Sequence, residues 1–297
     1  MKVFVTGATG FVGKEIVKDL ISAGHQVSGL ARSELSAQAL IRAGAEAHRG
    51  DLEDLDSLRS GAENADGVIH AGFIHDFARF KEVCEVDEIA IATIGQVLAG
   101  SNRPFVVTSG MALVNPGTLA TEDTIPDHDA QQYPRRSEEA SDAVADIGVR
   151  TSVIRLSPSV HGEGDHGFVP MLIDIARKKG VSAYIGEGQN RWTAVHRLDT
   201  GSLYRLALEK GNARERFHGV AEEGIAFKDI AASIGKHLKL PVVSLSKEEA
   251  VAHFDWFVSF AGIDCPGSSE ITRHKLGWKP MGITLLADME QSGYFKS

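Results

Sequence analysis

The sequence predicts an α/β protein built on a doubly wound parallel sheet, and three observations support this. Short β-branched runs alternate strictly with amphipathic segments through the first half of the chain, a pattern typical of strands joined by crossover helices. These runs are largely apolar, as strands buried on both faces are. With 297 residues, 43% of them hydrophobic, the chain can bury the core of one large domain or of two closely packed ones.

The first strand leads into a glycine-rich turn and then a helix, in the segment VFVTGATGFVGKEIV. Glycines at such a junction let backbone N–H groups approach a pyrophosphate, and the N-terminus of the helix attracts the anion. Because this turn opens an alternating chain, we predict a Rossmann dinucleotide site here. The residues that we expect to line its phosphate end are Gly7, Thr9, Gly10, Phe11, Val12 and Gly13.

The second strand bears on the choice between NAD and NADP. An acidic residue at its end would accept hydrogen bonds from the adenosine ribose, but this strand ends in Ala31, Arg32 and Ser33. A guanidinium forks onto a phosphate and a serine donates to it, so the sequence favours NADP as the cofactor. The alternative is that Arg32 is a solvated charge and Glu34 contacts the ribose. In the later motif GDL, Asp51 either lies beside the adenine amino group or caps the helix that follows.

The later elements continue the same alternation. The remaining strand candidates are AEAHRGDL, GVIHAG, PFVVTSG and RTSVIRL, with helical patterns such as DEIAIATIGQVLAG between them. We therefore predict about seven strands in the sheet. Gly24, Gly148 and Gly180 stand where helix C-caps are expected.

The alternation ends after the last of these strand candidates. The segment SPSVHGEGDHGFVP is rich in Gly, Pro and His and predicts a long, functional loop rather than a strand. Helical patterns in the last quarter of the chain favour a small C-terminal α/β lobe. We therefore predict an NADP-binding Rossmann domain over residues 1–156, to which part of 190–222 returns, and a substrate lobe formed by 157–189 and 223–297.

Composition argues against several classes of protein. The formal net charge of −9 argues against a general nucleic-acid surface, which needs clustered Lys and Arg. Cys84 and Cys265 are far apart and outside any CxxC spacing, so we expect both to be packing residues. The first strand begins directly after Met1, and no apolar run approaches the length of a membrane span. We therefore expect a cytoplasmic protein that does not enter a membrane.

Several segments together resemble the extended short-chain dehydrogenase/reductases, the branch of NAD-dependent epimerases and dehydratases, and among these the atypical members. The segments are TGATGFVG, GDLEDLDSL, VIHAG, FVVTSG, GVRTSVIRLSPSVHG, AVHRLDTGSLYRLALE and LGWKP. The resemblance implies a C-terminal lobe that binds a small-molecule substrate, and a homodimer as a partner. Beyond the phosphate loop, it implies that the cofactor is lined by Arg32, Ser33, Asp51, Leu52, His70, Ala71, Gly72, Ser157 and Val160.

The catalytic set of that family is an Asn, a Ser or Thr, a Tyr and a Lys, and this chain departs from it. The Tyr exchanges a proton with a carbonyl or alcohol, and the Lys lowers the pKa of the Tyr. The Asn position is occupied by Asp87, which either holds a backbone carbonyl or water or caps a helix. The usual serine falls on Gly110, so Ser109, on the strand face opposite to Thr108, is the expected hydroxyl.

The stretch QQYPRRSEEASDA contains Tyr133, but Ser137 stands where the lysine is expected. Pro134 biases Tyr133 away from helical geometry and suits a first helical position, so we predict a helix that begins at Pro134. Tyr133 then lies just outside it. Glu138, if it points inward, can accept hydrogen bonds from the nicotinamide ribose.

Two arginines at the start of this predicted helix have two interpretations. Arg135 or Arg136 supplies a positive charge that lowers the pKa of Tyr133 or binds an anionic substrate group. The alternative, which the sequence favours, is a solvated helix start in which both are salt-bridged to nearby acids.

The long loop adds His161 as another candidate proton donor. His161 and His166 have acids between them, but no third ligand follows at a recognised spacing, so we predict no metal. Trp192 stands among polar residues and is expected to form a pocket wall rather than core.

The sequence therefore favours an NADP(H)-dependent oxidoreductase that acts on a small carbonyl or alcohol, with Ser109, Tyr133 or His161 handling the oxygen. A sugar-type epimerase or dehydratase with the same cofactor is an alternative, which the missing Tyr/Lys pair makes weaker. A non-catalytic NADP-binding sensor protein is a second alternative, because the catalytic set is so incomplete.

Overall fold

The computed structural model describes residues 1–114, 116–126, 134–291 and 293–295. Its strands are β1 (Lys2–Thr6), β2 (Gln26–Ala31), β3 (Glu46–Arg49), β4 (Gly67–His70), β5 (Pro104–Gly110), β6 (Arg150–Leu156), β7 (Ser159–His161), β8 (Ser182–Ile185), β9 (Arg191–His196), β10 (Arg216–Gly219), β11 (Glu222–Ala226) and β12 (Val242–Leu245). Its α-helices are α1 (Gly13–Ser22), α2 (Glu34–Arg42), α3 (Leu55–Glu63), α4 (Phe80–Leu98), α5 (Ser137–Asp146), α6 (Phe168–Lys179), α7 (Arg197–Lys210), α8 (Phe227–Leu238), α9 (Lys247–Phe254), α10 (Val258–Gly262), α11 (Glu270–Leu276) and α12 (Leu285–Gln291).

Seven strands form the central sheet in the order β10-β6-β5-β4-β1-β2-β3, and every pairing within it is parallel. The chain runs outward from β1 in one direction and then restarts at β4 in the other. This confirms the predicted doubly wound Rossmann sheet. In such a sheet a ligand binds beyond the carboxyl ends of the strands at the point where the order reverses, here between β1 and β4.

Alternate residues of β1 point to opposite faces of the sheet, and each face has its own core. Val3 and Val5 pack with Leu20 of α1 and Leu203 of α7. Phe4 packs on the other face with residues of α3 and α4. Burying each such side chain stabilises the fold by about 1.5–3 kcal/mol, so these helices hold the carboxyl ends of β1 and β4 in place.

Three helices end next to or at a glycine with a left-handed backbone conformation. Gly24, Gly148 and Gly180 have φ values of +85°, +82° and +73°, the left-handed conformation that ends a helix. Gly180 is the C-cap of α6, as predicted, whereas Gly24 and Gly148 each stand one residue after the C-cap, which is Ala23 in α1 and Ile147 in α5.

The C-terminal part of the chain adds two smaller sheets, β11-β9-β7 and β12-β8. Their core contains Trp192, which is fully buried and packs against Phe227 and Phe257. The prediction that Trp192 forms a pocket wall is wrong, because strand β9 carries the ring inward and the carbonyl of Phe260 accepts its N–H at 3.2 Å.

Two predicted element boundaries are also wrong. The segment after β6 is not one loop: it contains β7, which pairs with the distant strand β9, and the start of α6. The helix expected at Pro134 begins instead at Ser137. Arg135 therefore lies before the helix, and its side chain bonds to Thr108 and Ser137.

Segment 190–222 contributes α7, which packs on α1, and β10, which is the edge strand of the central sheet. That the C-terminal lobe binds substrate stays a prediction. Cys84 and Cys265 are both buried and form no disulfide, as predicted. In the described part of the chain, no helix has the length and apolar character needed to cross a bilayer.

Candidate functional site

The glycine-rich turn joins β1 to α1 by close backbone approach. Gly7 has φ +67°, and a Cβ on it would lie 2.6 Å from the carbonyl oxygen of Ala71. A Cβ on Gly13 would lie 1.9 Å from the carbonyl oxygen of Gly7. The N–H of Gly10 donates to that same oxygen at 2.9 Å. The turn therefore holds the N-terminus of α1, with its partial positive charge, at the carboxyl end of β1.

The predicted cofactor residues after β4 border this turn through their backbone. Ala71 and Gly72 lie against Gly7, and the N–H of Gly72 donates to the hydroxyl of Thr6 at 3.1 Å. The side chain of His70, in contrast, is fully buried inside the protein, where Nδ1 lies 2.9 Å from Oγ1 of Thr6. The ring of His70 therefore lies beneath the surface and contacts Thr6, and it does not line the site.

Asp87 ties this region to the helix that follows β5. Its Oδ1 lies 3.2 Å from Nε2 of His70, and Ser137 donates to its Oδ2 at 2.6 Å. Burial raises the pKa of Asp87, but Arg135 and the two hydrogen bonds outweigh burial and leave the pKa below its usual value. The interpretation of Asp87 as a helix cap is wrong, because α4 begins at Phe80 and Asp87 lies in its interior.

Arg135 points inward at the carboxyl end of β5. Its Nη2 donates to the carbonyl of Thr108 at 2.9 Å and its Nε to the hydroxyl of Ser137 at 2.8 Å. Its guanidinium carbon lies 4.4 Å from the centre of the Phe73 ring. The prediction that Arg135 is solvated is wrong, but the predicted salt bridge is present, because its Nε lies 3.6 Å from Oδ2 of the buried Asp87. For Arg136 the whole prediction holds, since it pairs with Glu139 at 2.9 Å near the surface.

Glu138, predicted to contact the nicotinamide ribose, lies in a buried ion pair. Both of its oxygens accept hydrogen bonds from Arg155 at 2.8 Å, and Arg216 donates to one of them at 2.9 Å. These arginines belong to β6 and β10, on the side of the sheet away from β1. Since both oxygens face those two strands, we remove Glu138 from the proposed cofactor set.

The predicted catalytic residues are scattered. Ser109 is buried, and its Oγ has no hydrogen-bond partner among the residues that the structure describes. Thr108 lies on the opposite strand face, where its hydroxyl donates to the carbonyl of His70 and lies 2.8 Å from that of Tyr204. Tyr133 lies outside the described residues.

Strand β7 turns its two predicted site residues to opposite sides. Val160 packs against the core of the sheet domain, whereas His161 is fully buried and faces α12. Nδ1 of His161 lies 2.9 Å from Oδ2 of Asp288, and burial lowers the pKa of His161 although Asp288 raises it in part. The hydroxyl of Ser157 donates to the carbonyl of Gly219 at 2.8 Å. The position of His161 therefore does not support a role at the substrate oxygen.

His161 does have neighbours that spacing along the chain did not indicate. Donor atoms of His161, His196 and Asp288 lie within 4.8 Å of one another. His166, with which the sequence paired His161, is exposed and contacts the ring of Phe11 at 5.6 Å. The His161–Asp288 hydrogen bond joins β7 to α12, and the absence of a metal at this cluster stays a prediction.

At the end of β2 the candidate phosphate-binding residues are exposed. Arg32 makes no hydrogen bond or ion pair with any described residue. Ser33 caps α2 by accepting from the N–H of Ser36 at 3.2 Å. The carboxylate of Glu34 pairs with Arg49 and accepts from Gln38 at 3.1 Å.

Asp51 and Leu52 lie where the adenine end of a dinucleotide is expected. Oδ1 of Asp51 accepts from the N–H groups of Glu53 and Asp54 at 2.8 and 3.0 Å, which fixes a turn. The N-cap of α3 is Asp54, so the capping alternative for Asp51 is wrong. Leu52 reaches the backbone of Gly72 and so joins the edge of the site.

Residues 3–218 match the model of the NAD dependent epimerase/dehydratase family, which is well over half of the chain. The chain belongs to this family. Among curated proteins, it is 50% identical to Uncharacterized protein C2A9.02 of Schizosaccharomyces pombe, with 99% of this chain and 100% of that protein covered. It is 29% identical to the sterol-4-alpha-carboxylate 3-dehydrogenase, decarboxylating, of Dictyostelium discoideum, with 76% of this chain and 73% of that protein covered.

Among solved structures, the UDP-glucose 4-epimerase of Thermus thermophilus, in complex with NAD, superposes with a TM-score of 0.77. The two chains are 16% identical, and the match covers 100% of this chain and 99% of that one. This likeness concerns the fold. The predicted resemblance to the epimerase/dehydratase branch is confirmed, and members of the family are pyridine-nucleotide-dependent oxidoreductases and epimerases.

A pyridine dinucleotide fits the residues of the phosphate turn. A Cβ on Gly7 would collide with the backbone of Ala71, and one on Gly13 with the backbone of Gly7, so glycine at both positions permits the tight turn on which a pyrophosphate binds. Sequence reasoning missed the contribution of Thr6 and the inward position of Arg135. The sequence signal for Arg135 was a positive charge two residues before Ser137, the position at which the family has its lysine.

Proposed function

We propose that the protein is an NADP(H)-dependent oxidoreductase that acts on a small carbonyl or alcohol. When bound, the nicotinamide supplies or accepts the hydride. The observation that carries the proposal is Arg135, a largely buried cation that pairs with Asp87 at 3.6 Å and is fixed at the carboxyl end of β5. The relative from Dictyostelium, named as a dehydrogenase, supports the same class of reaction.

Preference for NADP rests on the charges at the end of β2. The carboxylate of Glu34, the alternative ribose contact, is engaged by Arg49 and Gln38. Arg32 is exposed and unpaired within the described residues, so its guanidinium can donate two parallel hydrogen bonds to a 2′-phosphate. Ser33 stands beside it at the N-cap of α2, where an anion is favoured by the helix dipole.

Arg135 replaces the charge of the missing lysine in this proposal. The carbonyl of Thr108 and the hydroxyl of Ser137 fix the guanidinium before substrate binds. A fixed cation stabilises a substrate oxygen that gains negative charge, because no reorganisation is needed at that moment. Ser109, whose hydroxyl has no described partner, and Tyr133 stay as the proposed proton donors.

The test is a direct one on the purified protein. NADPH absorbance is followed with a panel of aldehydes, ketones and quinones, with NADH in parallel, and we expect oxidation of NADPH in preference to NADH. Tight NADPH binding without oxidation across the panel would favour the sensor alternative. Interconversion of a nucleotide sugar without net oxidation would favour the epimerase, and preference for NADH would contradict the role of Arg32.

A further inference from the structure

Partly exposed aromatic rings form a continuous row from the proposed active site to the C-terminal lobe. Three of them follow β4 in the chain, and the others belong to α6, to the segment between α9 and α10, and to α10 itself. We call this set the ring row, and its members are Phe73, Phe77, Phe80, Phe168, Trp256 and Phe260.

Neighbouring rings of the row are in contact. Phe73 contacts Phe80 at 6.5 Å between ring centres, and Phe80 contacts Phe77 at 5.8 Å. Phe77 is stacked on Trp256 at 4.7 Å with an angle of 23° between the planes, and it also meets Phe168 at 6.4 Å. The row therefore bridges the two lobes, and Trp256, 49% exposed, presents an open ring face or edge to solvent.

The row begins at the proposed site of chemistry. Phe73 follows Gly72, which borders the phosphate turn, and its ring lies under the guanidinium of Arg135. A substrate laid along the rings thus has one end beside the cation that we propose for its oxygen. Exposed apolar surface that continues into a cleft with a few polar groups is typical of a small-molecule site.

The charges along the row do not suit a sugar nucleotide. A diphosphate needs cations or N–H donors, and Arg79, which stands between Phe77 and Phe80 in the chain, is already paired with Asp76 at 3.0 Å and Glu82 at 2.8 Å. A flat apolar ring needs none of these, because it gains area burial and edge or face contacts with the aromatic side chains. The ring row therefore favours a flat apolar ligand over a charged sugar nucleotide.

We propose that the substrate is a flat aromatic carbonyl compound, or the corresponding alcohol, whose ring lies against Phe77 and Trp256 while its oxygen faces Arg135. This inference rests on the proposed oxidoreductase function and adds the substrate class to it. It names the ring row as the part of the site that sets specificity.

The activity test compares 2-naphthaldehyde with a short aliphatic aldehyde and with UDP-galactose, all with NADPH. We expect turnover of the naphthaldehyde and a rise of about tenfold in its KM in Phe77→Ala, because a ring contact is lost. The matched control is Phe295→Ala, which removes a ring outside the row, stacked on His237. Turnover of the aliphatic aldehyde in preference to the naphthaldehyde would overturn the substrate class and leave the oxidoreductase proposal intact. Conversion of UDP-galactose in preference to both aldehydes would overturn the substrate class and favour the epimerase.

A binding test separates this inference from turnover. Trp256 lies in the ring row, whereas Trp192 is fully buried and lies behind the row, 5.8 Å from Phe168 between ring centres; a ligand on the row is therefore expected to quench Trp256 most strongly. We expect 2-acetonaphthone to quench tryptophan fluorescence strongly in the wild type and much less in Trp256→Leu, whether or not the protein oxidises NADPH. Equal quenching in both proteins would overturn the inference. A change of oligomeric state in Trp256→Leu, measured by light scattering, would do the same by assigning the row to an interface between copies of the chain.

Discussion

The phosphate turn and the start of α5 lie at the same edge of the sheet, but the chain builds them in different ways. The turn is made by backbone: Gly7 and Gly13 approach other backbone atoms more closely than any side chain would allow. The start of α5 is made by side chains that converge from separate elements, with Asp87, Arg135 and Ser137 in mutual contact. A backbone site is encoded within a few consecutive residues, whereas a side-chain site depends on how distant elements pack.

The largest expected effect tests whether Glu138 of α5 stabilises the fold or binds the cofactor. In Glu138→Ala the guanidinium of Arg155, fully buried, loses its main counter-ion. Breaking a buried pair in this way costs about 3–5 kcal/mol, so we expect that loss in the free energy of unfolding measured by urea titration. The matched variant Glu139→Ala removes the pair with Arg136 near the surface, and such a pair contributes about 0–1 kcal/mol. Weaker NADPH binding by folded Glu138→Ala, with little loss of stability, would restore Glu138 to the cofactor site.

The second effect tests the chemical role of the start of α5. Arg135→Met removes the charge while it keeps much of the length of the side chain. We expect kcat for a carbonyl substrate to fall about 100-fold or more, since one fixed donor to a developing oxyanion contributes this much. NADPH affinity, measured by fluorescence titration, should change little. The control is Arg136→Met, one residue on, whose guanidinium pairs with Glu139; equal losses in both variants would contradict a specific role for Arg135.

Much of the fold could be predicted because its signals are local. The alternation of strands and helices, the glycine turn after β1 and the C-terminal glycines of three helices are each decided within about ten residues. Strand β7 could not be predicted from its own residues, because only pairing with β9 makes three residues of a polar segment a strand. The buried position of Trp192 depends on the same small sheet.

The candidate site divides in the same way. The phosphate turn and Arg32 were visible in the sequence as residue types at fixed positions. The direction in which the side chains at the start of α5 point could not be predicted. The helix begins at Ser137, three residues later than expected, and each residue rotates the side-chain direction by about 100°. That shift directs Glu138 to β6 and leaves Arg135 at the site. His161 was misjudged because its partner, Asp288, is distant in the chain.

A third effect tests the backbone site. In Gly13→Ala the new Cβ would lie 1.9 Å from the carbonyl oxygen of Gly7, so the turn must open. We expect NADPH to bind about 100-fold more weakly, because charge-assisted bonds from the turn to the pyrophosphate are lost. Gly24→Ala is the control: it also changes a glycine of the first βαβ unit, but its Cβ meets nothing within 4 Å. NADPH titration of both variants is accompanied by a thermal melt of separate samples. The melt shows whether a loss of NADPH affinity comes from the site or from unfolding of the protein.

The smallest effect sharpens the comparison at the far end of the same cofactor site, where a side chain and not the backbone selects the ligand. Arg32→Ala should weaken NADPH binding about tenfold and leave NADH binding unchanged, because only the 2′-phosphate of NADPH loses a charge-assisted partner. Arg42→Ala, at the other end of α2, is the matched control, since it removes an exposed arginine away from the ribose. The measurement is the ratio of the two dissociation constants at one fixed salt concentration, because screening weakens exposed charge contacts. A parallel loss of NADH and NADPH affinity in Arg32→Ala would mean that Arg32 supports the turn and does not read the phosphate, and the preference for NADP would then lie elsewhere.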